Sequence, residues 1–127
     1  MELNISHSGD TPIYEQITCQ IKGHILHGVL STGDVLPSMR TLAKDLRISV
    51  ITTKRAYEDL ERDGFINTVP GKGCFVAPSN LGALREQAMR RMEKELAAVV
   101  KTAKTSAISL EEMTQALNLL YGGVPHE

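Results

Sequence analysis

Between residues 40 and 55 the sequence places five cationic side chains, Arg40, Lys44, Arg47, Lys54 and Arg55, against a single acid, Asp45. Further on, Lys72 stands between Gly71 and Gly73. Guanidinium and ammonium groups at this density bind phosphate oxygens, and an arginine can also take a guanine edge with two parallel hydrogen bonds. Thr52 adds a hydroxyl for a base edge or a phosphate, and Ser38 and Ser49 add exposed amides at helix starts. Glycines around a lysine let the backbone approach a minor groove closely. The chemistry is that of binding a polyanion, not of turning over a substrate: no nucleophile–base pair or metal cluster is visible. Gly71-Lys72-Gly73 lacks the spacing and trailing Ser or Thr of a phosphate-binding loop. His24 and His27 lie three apart without a third ligand and read as surface histidines, so no metal and no cofactor is expected.

The overall charge pulls the other way. The 127 residues carry a formal net charge of −1. Residues 1–78 hold 8 Lys/Arg against 9 Asp/Glu, and residues 79–127 hold 6 against 6. A docking face needs local charge, however, and that is where the five cations lie. Near-neutrality supports a second reading, a winged-helix protein–protein interaction module without DNA binding.

The elements that must position these residues are mainly α. With 42% apolar residues, 4% aromatic and no Trp, the core is predicted to be aliphatic. Thr11-Pro12 is expected to open a helix, the hydroxyl capping and the proline taking the first helical position. Ile13, Ile17, Ile21 and Ile25 then form one apolar stripe ending at Gly28. Gly28 to Asp34 reads as a loop. Ser38 caps a second helix, with Met39, Leu42, Ala43 and Leu46 on one face and Arg40 and Lys44 on the neighbouring one. Ser49 caps a third helix with Thr53, Ala56, Tyr57 and Leu60 inward, and Ile51, Thr52, Lys54, Arg55 and Glu58 outward. Gly64 stops it. Phe65–Val69 and Cys74–Val76 read as a β-hairpin around Pro70-Gly71-Lys72-Gly73. Two helices, a tight turn and a hairpin make a winged helix-turn-helix, a geometry suited to a DNA groove.

After a short hinge at Pro78-Ser79-Asn80, Leu81, Leu84, Ala88, Met92, Leu96, Val99 and Ala103 repeat at alternating three- and four-residue steps, a coiled-coil-like seam. Ser109 and Glu112 form a capping box for a last helix, with Leu110, Met113, Leu117 and Leu120 apolar and Gly122-Gly123 closing it. The expected organisation is a head over 1–78 and a two-helix dimerisation region over 79–127. Leu84, Ala88, Met92, Leu96, Val99, Leu117 and Leu120 are the expected dimer contacts. Cys19 and Cys74 read as reduced thiols. No apolar run approaches the ~20 residues of a membrane span, which predicts a soluble cytoplasmic protein with no membrane partner.

From Pro12 to Val76 the chain resembles the DNA-binding domain of GntR-family bacterial transcription regulators. The resemblance rests on Pro12-Ile13-Tyr14, Gln16-Ile17, Gly28, Gly33-Asp34, Leu36-Pro37-Ser38, Arg40, Leu42-Ala43 and Leu46. It continues through Ser49, Thr52, Ala56-Tyr57, Leu60, Gly64-Phe65-Ile66, Gly71-Lys72-Gly73 and Phe75-Val76. The short region after it is similar to that of the YtrA-like subfamily. The resemblance implies a repressor that binds a palindromic operator in double-stranded DNA as a homodimer, controlling a small operon, often one for a transporter. It leaves room for a small-molecule effector of unknown identity. The implied DNA contacts are Ser38, Arg40, Lys44, Ser49, Val50, Ile51, Thr52, Lys54, Arg55, Gly71, Lys72 and Gly73.

Four positions, making three departures, differ from the family pattern. Val50 and Ile51 are apolar where relatives carry polar residues, which suits thymine methyl groups and predicts A·T pairs beneath the third helix's start. Arg47 stands where the turn usually has glycine, so either it adopts a positive φ or the turn has another shape. Cys74 replaces a Ser or Thr after the wing glycines.

Overall fold

The computed structural model describes residues 1–78 and 81–122, so Ser79 and Asn80 of the expected hinge, and Gly123, lie outside the described residues. The chain divides into two compact units, Met1–Gly82 and Ala83–Glu127. The first contains α1 (Ile13–Leu26), α2 (Met39–Leu46), α3 (Val50–Arg62), β1 (Ile66–Val69) and β2 (Gly73–Val76). Next come α4 (Leu81–Thr105), which crosses into the second unit, and α5 (Leu110–Gly122). No helix among the described residues is long and apolar enough to cross a membrane.

In α1, Ile17, Ile21 and Ile25 are buried while Ile13, at the open end of the stripe, is half-buried. The start of α1 differs from the expectation. Pro12 is the cap residue, with ψ 147°, and no side chain caps the helix. The Pro12 carbonyl accepts the Glu15 and Gln16 amides, both at 3.1 Å, so proline stays outside the helix and the Thr11 hydroxyl is not needed.

A feature absent from the sequence reading lies beside this helix. Gln16, Gln20 and His24 hold the first residues of the chain by their backbone. Gln16 accepts the Ser6 amide and donates back to the Ser6 carbonyl, at 2.8 and 2.9 Å. Gln20 does the same for Asn4, at 2.8 and 2.7 Å, and His24 Nε2 lies 2.9 Å from the Glu2 carbonyl. Four helical residues advance ~6 Å and two extended residues ~6.6 Å. Side chains every fourth position can therefore pair with every second residue of an extended arm.

The helix-turn-helix forms from strong local signals. The Ser38 hydroxyl accepts the Thr41 amide at 3.0 Å, and the Ser49 hydroxyl accepts the Ile51 amide at 3.0 Å. Between them Arg47 takes the left-handed conformation, φ 58° and ψ 50°. The Ile48 amide then reaches the Ala43 carbonyl at 2.9 Å, satisfying the helix end. Of the two alternatives left by the sequence, arginine accepts the positive φ.

The wing pairs Ile66 with Val76 through Val69 with Gly73, antiparallel. Lys72 donates to the Val69 carbonyl at 2.9 Å, with Pro70 second and left-handed Gly71 (φ 78°) third in the turn. A third segment, which the sequence marks only as the lead into α2, joins this sheet: Val35 bridges Phe75, and the Leu36 amide donates to the Cys74 carbonyl at 2.8 Å. Its apolar Val35-Leu36 pair is too short to show strand periodicity. Glu61 accepts the Thr68 amide at 2.9 Å, fixing the wing against α3.

In the second unit the capping box forms as expected, Glu112 accepting the Ser109 amide at 2.9 Å and Ser109 the Glu112 amide at 3.1 Å. Those bonds hold the Glu112 carboxyl below its usual range. Leu96, Val99 and Ala103 of α4 face Met113, Leu117 and Leu120 of α5 around a groove of about 420 Å³. Ala103 is buried, but Leu120 is 83% and Tyr121 93% exposed.

A left-handed non-glycine residue costs roughly 1–2 kcal/mol, part of which glycine recovers. Arg47→Gly is therefore expected to stabilise the protein by up to about 1 kcal/mol, and Arg47→Val to destabilise it by more than about 1 kcal/mol. Urea denaturation of the three proteins checks the order.

Candidate nucleic-acid interface

Two buried hydrogen bonds set α2 on α3. Thr53, fully buried, donates to the Met39 carbonyl at 3.0 Å and shares its hydroxyl with the Val50 carbonyl at 2.9 Å. Tyr57 donates to the Pro37 carbonyl at 2.7 Å. Burial, helped by the nearby Cys74, pushes the Tyr57 hydroxyl far above its usual pKa, so it stays a donor. With these residues inward, the opposite side of α3 turns outward as its spacing requires.

That outward side holds Val50, Ile51, Lys54, Arg55 and Glu58, all exposed, with Thr52 half-buried. Ile51 is 79% exposed, so among the described residues nothing covers the apolar spot at the start of α3. Arg40, Lys44 and Arg47 are exposed on and after α2, and Gly71, Lys72 and Gly73 at the wing tip. Among the described residues none of Arg40, Lys44, Arg47, Lys54 and Lys72 makes an ion pair. Ser38 spends its hydroxyl on Thr41, accepting the amide and donating to Oγ1 at 2.8 Å.

The acids are occupied at the other end of α3. Asp63 pairs with Lys22 at 2.9 Å and with Arg62 at 3.4 Å, and Asp59 pairs with Arg62 at 3.0 Å. Lys22 also lies over the Phe65 ring, 5.3 Å from its centre. Glu61 is taken by Thr68. Among the described residues, unpaired cations thus lie near the α2–α3 turn and the wing, while the carboxylates Asp59, Glu61 and Asp63 toward the C-terminal end of α3 are engaged.

Arg55 differs from the other cations. Its guanidinium stacks on the Tyr14 ring, 3.7 Å from the centre, and donates to the Tyr14 hydroxyl at 3.0 Å. The sequence reading missed Tyr14 as a partner. A contact across 41 positions leaves no periodic signal, and Tyr14 entered only as part of the Pro12-Ile13-Tyr14 motif. Cys19 and Cys74 are free thiols, exposed and buried respectively.

Removing the Tyr57 hydroxyl strands the Pro37 carbonyl. Tyr57→Phe is expected to cost about 1–2 kcal/mol in chemical denaturation. Burial pushes the Asp63 carboxyl up, but the Lys22 hydrogen bond and charge, with Arg62, outweigh it and hold the group below its usual range. A carboxylate depressed in the folded state adds stability above its unfolded pKa, and that stability is lost as pH falls through the folded value. Asp63→Asn should therefore melt lower than the parent at neutral pH, and the gap should close as pH falls below about 4. Thermal melts across that range test it.

The matching proteins have the same architecture. Residues 13–76 match the family model for bacterial regulatory proteins of the gntR family. The chain is 34% identical to the HTH-type transcriptional repressor YtrA of Bacillus subtilis (strain 168) over 111 residues, 87% of this chain and 85% of the relative. A transcriptional antiterminator from Listeria monocytogenes EGD-e aligns over 100% of this chain and 98% of its own, with TM-score 0.77 and 27% identity. The AraR DNA-binding domain, solved in complex with operator ORX1, aligns over 61% of this chain and 99% of its own, with TM-score 0.55 and 27% identity. These relatives are regulators of transcription rather than enzymes, and a GntR head is seen on DNA. The chain belongs to the GntR family of DNA-binding bacterial transcription regulators, in its short YtrA-like form.

Proposed function

We propose that this regulator is a cytoplasmic repressor that binds a palindromic operator as a homodimer, its residues 1–78 reading DNA and residues 79–127 pairing two copies. The observation that carries this reading is the segregated charge of the head. Among the described residues the cations of α2, of the first half of α3 and of the wing make no ion pair, whereas the acids at the α3 C-terminus pair with Lys22 and Arg62. In this arrangement α3 enters the major groove, Val50 and Ile51 meet thymine methyl groups, and Thr52 and Lys54 contact base edges or phosphates. Arg40 reaches a base edge or a phosphate, and Lys44, Ser38 and Ser49 hold the flanking backbone. Gly71, Lys72 and Gly73 reach the neighbouring minor groove.

One head spans too few base pairs for useful specificity, and a second copy doubles the contact. Leu84, Ala88, Met92, Leu96 and Val99 of α4, with Leu117 and Leu120 of α5, supply the pairing surface. Leu96 is 38%, Val99 53% and Leu117 53% exposed in the single chain, an apolar area that a lone protein rarely leaves open. Control of a transporter operon is the regulatory role that resemblance to YtrA-type proteins suggests. A small effector that acted at the pairing surface would change the spacing of the two heads.

Selection from randomised duplexes is the direct experiment. The expected product is an inverted repeat with half-site centres about one helical turn apart, or a multiple of it, and A·T pairs at the inner contacts. Affinity should fall steeply with salt, and Arg40→Ala should cost about 1–3 kcal/mol. Leu96→Glu with Leu117→Glu should give monomers by sedimentation and weak operator binding. An asymmetric site bound by a monomer would overturn the homodimer reading. Absence of salt-sensitive binding to any duplex would favour a protein-interaction module.

A further inference from the structure

Among the described residues, the Tyr14–Arg55 pair is the one place where a cation of the reading face is held by another side chain. The ring of Tyr14, near the start of α1, lies under the Arg55 guanidinium at 3.7 Å, and the tyrosine oxygen accepts from Nη2 at 3.0 Å. Arg55 is exposed and Tyr14 half-buried, so both reach solvent. Among the described residues Arg55 makes no ion pair, although Glu58 follows on the same helix and Glu15 adjoins Tyr14. Its charge is therefore available to an outside anion.

The hydrogen-bond inventory defines what the pair can hold. A tyrosine hydroxyl has one hydrogen to give and lone pairs to accept with. Here the oxygen accepts from Arg55, which leaves its own hydrogen to donate. Arg55 keeps its remaining N–H groups, fixed in a plane by the stack. A neutral O–H and cationic N–H groups side by side match the two anionic oxygens of a phosphodiester. They match a guanine edge poorly, since that contact needs the guanidinium extended into the groove with both donor arms free, and one arm is spent on Tyr14.

Resting on the reading of this chain as a DNA binder, we infer that Tyr14 and Arg55 form a composite clamp for one DNA backbone phosphate. Tyr14 is both a contact and the positioning residue for Arg55. The clamp would anchor α1 to the strand flanking the groove that α3 enters, and so fix the roll of the head on the duplex. Ordering the arginine beforehand removes rotamer entropy that binding would otherwise have to overcome.

A phosphate contact is independent of sequence, so the probe is a duplex of arbitrary sequence, about 30 base pairs, titrated at several salt concentrations. Arg55→Gln should lower the slope of log K against log salt by about one per bound chain. Tyr14→Leu, which removes stack and hydroxyl, should lose most of the same slope. Tyr14→Phe keeps the stack, so it should keep the slope and lose about two- to tenfold in affinity. The Tyr14→Leu/Arg55→Gln double variant should have the salt slope of Arg55→Gln, with a further affinity loss no larger than that of Tyr14→Phe, which a merely structural tyrosine would not produce. Melting curves of each variant identify any that fails to fold, and Tyr14→Phe is the mildest change.

The clamp is overturned if folded Arg55→Gln keeps the parental slope, if Tyr14→Leu binds like the parent, or if the two losses are additive. An Arg55→Gln effect confined to particular duplex sequences would assign Arg55 to a base and also overturn it. If the parent protein itself shows no salt-dependent binding, the DNA reading fails, and the clamp with it. That result is distinct from a parent that binds with unaffected variants.

Discussion

Tyr57 and Thr53 are polar residues buried in a mainly aliphatic core, and their hydroxyls decide how α2 sits on α3. The Pro37 carbonyl lies just before the cap of α2, and the α2 amide at Leu42 goes to Ser38 instead, at 2.9 Å. Pro37 would be an unpaired acceptor against the core if Tyr57 did not reach it at 2.7 Å. Thr53 has no exposure at all and must find its acceptors inside, which it does at Met39 and Val50. Unmade buried hydrogen bonds cost about 1–3 kcal/mol each, so α2 cannot slide on α3 without losing both. The orientation of Arg40 and Lys44 relative to Val50–Arg55 follows from that constraint. So does the attachment of the wing, because Phe65 and Ile66 enter the same core immediately after α3.

Most of this arrangement was legible in the sequence where the signal is local. The capping serines, the inward set Thr53, Ala56, Tyr57 and Leu60, the stop at Gly64 and the capping box at Ser109–Glu112 all follow from spacing and side-chain chemistry. What escaped has a common cause. The arm held by Gln16, Gln20 and His24, the Val35–Phe75 bridge and the Tyr14–Arg55 stack join residues distant in sequence. The bridge and the stack leave no periodic mark, and the i, i+4 spacing of Gln16, Gln20 and His24 does not say what those polar side chains hold. Pro12 was placed one residue too deep because the same dipeptide suits either a cap followed by a first turn or a proline cap. The Gln16 side chain, which donates to the Thr11 carbonyl at 2.9 Å, helps fix the choice.

The apolar positions of α4 and α5 illustrate a related limit. Their repeat is easily seen, but a repeat says only that a surface must be covered. Within one chain Ala103 is covered and Leu120 is not. The groove between the two helices is open on one side and lined by aliphatic side chains, which is the shape a helix pair has when half of its core is missing.

The segregation of charge in the head has a consequence beyond contact. A body whose positive and negative groups balance, but sit at opposite ends, carries an electric dipole with almost no monopole. Near a polyanion the attraction on such a body is weak at long range, while the torque on it is not. The head would therefore gain little in arrival rate from the field of DNA but would be turned by it, cationic end first, before touching. With a net charge of −1 for the whole chain, indiscriminate adhesion to nucleic acid is kept low by the same balance. Orientation, rather than stickiness, is what this distribution of lysines, arginines and carboxylates provides.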